Sequence, residues 1–114
     1  MKVTNCSTTT INDDALSQRI QAAFERELGA DNLYVDENEG MGAEDFAYFV
    51  QTADKVPGCY FSVGGTAQAD LDAEKNGGPP VPSHHSPFFK IEPRPSVVGG
   101  VHAMTVAVLE LLGK

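Results

Sequence analysis

The apolar positions of this chain fall first into a stripe at helical spacing. Leu16, Ile20, Ala23, Phe24 and Leu28 recur every three to four residues, with Arg19, Glu25 and Glu27 outside the stripe, which is the pattern of a helix with one face on a core. Asn12 offers an N-cap, Asp13 and Asp14 complement the helix dipole, and Gly29 is a C-terminal stop. At the other end of the chain, Val97 to Leu112 is almost wholly apolar. Pro93 and Pro95 block helix before it and Ser96 caps it, so a terminal helix is expected from Val97, buried against a sheet face.

Between these helices the periodicity changes. Leu33-Tyr34-Val35 carries strand formers and ends in the acidic stretch Asp36 to Glu39. Glu44 to Gln51 reads as a short helix with Phe46, Phe49 and Val50 inward, and Pro57-Gly58 as a turn. Cys59-Tyr60-Phe61-Ser62-Val63 then reads as a buried strand closed by Gly64-Gly65. Thr66 to Pro82 has no periodicity and is expected to be a long loop, a feature commonly functional or disordered. The first ten residues are polar and Thr-rich, with Val3 and Thr8 to Thr10 favouring an extended segment. The expected order of helix, strand, short helix, strand, loop and helix is an α/β layer with few strands.

Length and charge narrow the classes. At 114 residues the chain is sized for a single core, and its 41% hydrophobic and 21% charged residues are ordinary globular values. A formal charge of −8, with the eight Lys and Arg dispersed, argues against nucleic acid and anionic membranes as partners. Cys6 and Cys59 form no metal or redox spacing, and no segment has the apolar core of a signal peptide or the length of a membrane span. A reduced cytoplasmic setting is the expectation.

Candidate chemistry lies in two places. The run Ser83-His84-His85-Ser86-Pro87-Phe88-Phe89 is the only cluster of strong transition-metal ligands. In an extended segment neighbouring side chains point to opposite faces, so His84 and His85 are not expected to reach one ion together. The turn Met41-Gly42-Ala43-Glu44-Asp45-Phe46 brings two carboxylates to a helix start, where they could act as an acid-base pair or simply complement the dipole. His102, inside the terminal helix, reads as a packing or surface residue.

Three segments in order carry a family resemblance: Met41-Gly42-Ala43-Glu44-Asp45-Phe46-Ala47-Tyr48-Phe49, then Val56-Pro57-Gly58-Cys59-Tyr60-Phe61, then His85-Ser86-Pro87-Phe88-Phe89. They resemble the last third of the hippurate hydrolases and auxin-conjugate amidohydrolases, members of the aminoacylase and carboxypeptidase superfamily of metallopeptidases. Thr10-Ile11-Asn12-Asp13 is similar to the point where that family's lid domain returns the chain to the catalytic domain. Residues 1–11 would then be the remnant of a lid-domain exit strand and 12–114 the C-terminal part of a catalytic domain.

The resemblance implies hydrolysis of N-acyl amino acids at a divalent-metal site, with zinc, manganese or cobalt as the cofactor. It implies that His85 is a metal ligand, with His84 beside it and Glu44 and Asp45 orienting ligands or positioning substrate. The family's other ligands and its base glutamate come from segments absent here, and one ligand falls short of the roughly three that a catalytic zinc needs. The chain alone is therefore expected to be inactive, and to associate with itself or with a complementary upstream segment through surfaces that the missing part would cover. The alternative expectation is a non-catalytic, self-associating interaction module derived from that fold.

Overall fold

The computed structural model describes residues 9–34 and 44–113. Their regular structure is helical: α1 over Asp14–Leu28, α2 over Ala47–Val50, α3 over Gln68–Lys75 and α4 over Pro93–Leu111, with a 3-10 turn at Ala30–Asn32. Thr9 holds an isolated bridge position, and there is no strand among the described residues. The expected α/β layer is therefore corrected to an all-helical arrangement. The extended segment before Thr9, Val35, the acidic stretch and the glycines before Glu44 lie outside the described residues. The chain divides into two compact units, one running to Phe61 and resuming at Val106, the other Ser62–Thr105.

In the first unit α1 forms where the stripe places it. Its cap is Asp13, whose Oδ1 accepts from the Leu16 amide at 2.8 Å, one residue later than expected. Asn12 is engaged elsewhere. Its side-chain oxygen accepts from the Tyr60 amide at 2.7 Å and its Nδ2 donates to the Tyr60 carbonyl at 2.8 Å. The Asp13 amide donates to the Gly58 carbonyl at 2.9 Å.

At Tyr60 these contacts take the place of a strand ladder. The segment has strand-forming side chains, but Tyr60 satisfies both backbone groups on one amide side chain, so no ladder is needed there. Its rings still pack: Phe61 meets Phe24 of α1 edge-on at 5.2 Å and Tyr60 meets Phe46 at 5.5 Å. Gly58 is required by this packing, because a Cβ there would stand 2.1 Å from Val50 Cγ1.

The buried residues of this unit are Ile20, Ala23 and Phe24 of α1, Ala47 of α2, and Val106 and Ala107 at the end of α4. Phe49, expected to point inward, is 73% exposed; the short helix buries Ala47 instead. Glu110 ties the end of α4 to α1. Its carboxylate meets Arg19 Nε at 2.9 Å and Arg26 Nη2 at 3.1 Å, and Arg19 also donates to its backbone carbonyl. Hydrogen bonds from Arg19, then Arg26, hold the Glu110 carboxyl below the usual carboxylate range.

The second unit corrects the expected long loop. Its middle is α3, formed from good helix formers with no apolar stripe, and none of its residues is buried. The helix ends in a Schellman arrangement: the Gly78 amide donates to the Ala73 carbonyl, the Gly77 amide to Glu74, and Gly77 takes φ 85°. Pro79 to Pro82 then run without regular structure.

Helix α4 begins at Pro93, not after Pro95. Both prolines fall in the first turn, where amides have no helical acceptor, so neither one breaks the helix. The first helical hydrogen bond runs from the Ser96 amide to Glu92 at 3.2 Å, and the Ser96 hydroxyl donates to the Gly64 and Glu92 carbonyls at 3.1 and 2.7 Å.

The expectation that this helix is buried fails on most of its surface. Ala103, Val106 and Ala107 are buried, but Val97, Val101, Met104, Val108 and Leu111 are 45 to 64% exposed. These five recur in alternating steps of four and three, which is the spacing of a coiled-coil seam. From Ser96 to Leu109 the helix contains no Asp, Glu, Lys or Arg. Even so, no helix among the described residues is long and apolar enough to cross a membrane.

Candidate functional site

The histidine run sits in the second unit on a tight turn. The Ser86 amide donates to the Ser83 carbonyl at 2.8 Å, which closes a turn with His84 and His85 at its two central positions. The Ser86 hydroxyl accepts from the Phe88 amide at 3.2 Å, and the Ser86 carbonyl accepts from the Phe89 amide at 3.1 Å. One serine thus braces the chain that leaves the turn, and Pro87 stiffens it.

The turn changes the relation of the two imidazoles. An extended segment sends neighbouring side chains to opposite faces, whereas here the rings of His84 and His85 lie with centres 4.6 Å apart, tilted by 51°. Phe89 meets the His84 ring edge-on at 6.5 Å. Both histidines are exposed, so their nitrogens are open to an incoming ion. No group of three or more His, Cys, Asp or Glu able to hold a metal exists among the described residues.

Glu44 and Asp45 belong to the other unit, and both are exposed. Their backbone carbonyls accept from the Ala47 and Tyr48 amides, each at 3.1 Å, in the turn that leads into α2. The helix that they precede has only four residues, so the dipole they would complement is small. Cys59 is a free thiol, partly exposed.

Nothing in the hydrophobic pattern announces a half-open cleft of about 290 Å³ in the second unit. Pro79, Pro80, Pro82 and Phe88 give it apolar walls, and Asp70 and Lys90 are its charged lining. Its walls come from α3 and from the segments that enter and leave the histidine turn. The signal available in the sequence is the proline run Pro79-Pro80 and Pro82 shortly before the histidines and Phe88 after the Ser-Pro step.

No protein-family model matches this chain, and no solved structure is significantly similar to it.

Proposed function

We propose that this chain is the C-terminal part of a metal-dependent amidohydrolase that cleaves the amide bond of N-acyl amino acids, and that it supplies His85 as one ligand of a site completed by residues outside it. The reading rests on the ordered motifs of the sequence and is carried by one observation: an exposed imidazole pair raised on a braced turn, with no third ligand assembled around it among the described residues.

The donor chemistry fits a borderline divalent ion such as zinc, cobalt or manganese, since imidazole nitrogen is an ordinary ligand for the first two and acceptable to the third. The donor number falls short of about three protein ligands, which is why the chain by itself is inactive under this reading. A bound ion would polarise the amide carbonyl and acidify its water. Glu44 and Asp45 would orient ligands or position substrate, and His84 would stand beside the reacting group. Proline and phenylalanine walls beside the turn suit an apolar acyl group. The setting proposed is the cytoplasm.

The purified chain, given N-benzoylglycine with zinc, manganese or cobalt, is expected to release no glycine. Hydrolysis by the chain alone would overturn the incomplete-site reading.

A second reading is favoured by α4. Its exposed four-three stripe of Val97, Val101, Met104, Val108 and Leu111 is a surface for another helix, and two copies of the uncharged stretch Ser96 to Leu109 meet without charge repulsion at the seam. Under this reading the chain is a non-catalytic module that pairs with a second copy through α4. Light scattering on the purified chain tests it: a dimer is expected, and a monomer at all accessible concentrations contradicts it.

A further inference from the structure

We infer that His84 and His85 act together as a bidentate chelate for one divalent transition-metal ion, so that His84 is a ligand and not only a neighbour of one. The inference deepens the proposed metal role of the turn, and rests on it only in treating the turn as a ligand-bearing element.

Geometry carries it. An ion held about 2.0–2.1 Å from each imidazole nitrogen lies roughly 3.2 Å from each ring centre, so two rings bound side by side at about 90–110° have centres on the order of 4.5–5.2 Å apart. The observed separation of 4.6 Å falls in that window. The Ser83–Ser86 hydrogen bond closes the turn that carries both residues, and the torsion that turns each exposed ring about its Cβ–Cγ bond is soft, so each ring is free to swing a nitrogen toward a shared ion.

Phe89 lies against the His84 ring and limits the volume that ring explores, which lowers the ordering entropy of chelation. The ions that suit two cis imidazoles with open remaining positions are copper(II), nickel(II) and zinc(II), with copper(II) the tightest. The remaining positions are left for water or for ligands from elsewhere.

The test is made on the chain as it stands, with the metal alone as probe. Copper(II) bound at one equivalent should show nitrogen hyperfine splitting from two equatorial imidazoles, and zinc(II) titrated calorimetrically should bind one ion per chain. His84→Ala and His85→Ala should each weaken zinc binding by at least about tenfold, the double variant should be little worse than either single one, and His102→Ala should bind as the wild type. All variants should keep the helical circular dichroism of the parent, because both rings are exposed.

Unchanged binding in His84→Ala, a single-nitrogen copper spectrum, or a dependence on His102 would each overturn the chelate. Such a result would leave the ligand role of His85 and the amidohydrolase reading intact. Conversely, failure to hydrolyse any N-acyl amino acid would leave a two-imidazole chelate standing.

Discussion

Helices α1 and α4 are both built on apolar residues at helical spacing, and they meet their surroundings differently. α1 places Ile20, Ala23 and Phe24 in the core and keeps its charges outside, so its sequence is matched by its packing. α4 carries more apolar positions than its surroundings cover: three of its residues are buried, while Val97, Val101, Met104, Val108 and Leu111 stay in solvent. An amphipathic helix is complete with one covered face, whereas a helix apolar on most sides needs a second covering surface. The difference leaves α4 with apolar positions that the described residues do not cover, and the proposed partners, the rest of a catalytic domain or a second copy, would cover them.

The largest expected effect lies in α1. Phe24→Ala removes a buried ring that packs edge-on against Phe61 at 5.2 Å, and should destabilise the fold by about 3–5 kcal/mol in thermal or urea unfolding. A loss under about 1 kcal/mol would mean that the α1 stripe is no more a core than the α4 stripe, and the comparison would fail.

Next comes the converse experiment on α4. Val101→Glu combined with Met104→Glu should leave the unfolding free energy of the monomer within about 0.5 kcal/mol, because both positions are more than half exposed. The same pair should weaken self-association more than tenfold in sedimentation or light scattering. A large stability loss without a change in association would show that the stripe serves the monomer.

The smallest effect concerns the ion pairs that tie α4 to α1. Arg19 and Arg26 lower the Glu110 carboxyl pKa in the folded state, so the contribution is full above the unfolded carboxylate pKa of about 4.3 and is lost as pH falls through the lower folded value. Wild type should exceed Glu110→Gln in Tm by a few degrees at most near neutral pH, and the two should converge on acidification. A gap that widens in acid would contradict the assigned direction.

How far the sequence reveals this molecule depends on whether the deciding interaction is local. α1 is legible because its stripe and its acidic start act over a turn or two of helix; only the cap differs, since the Asn12 amide is taken by Tyr60, 48 residues away. At Tyr60 the same long-range contact takes the place of the ladder expected over Cys59 to Val63. α3 hides because no apolar stripe marks it, although Asn76-Gly77-Gly78 is a readable helix stop. The prolines before α4 look like breakers in the sequence, yet their place in the first turn makes them tolerable. At the candidate site the two histidines are legible as residues, but the closeness of their rings is not. That depends on the Ser83–Ser86 hydrogen bond, which turns an expected extended run into a hairpin-like corner.

His85 is proposed to belong to a metal site completed by another segment. The most direct measurement joins this chain to the coding sequence immediately upstream and compares bound metal and N-benzoylglycine hydrolysis with and without His85→Ala. The longer protein should hydrolyse the amide, and His85→Ala should lower the rate by at least about a hundredfold and reduce the metal bound per chain, as expected for loss of a ligand. Retained metal and undiminished hydrolysis in His85→Ala would contradict it.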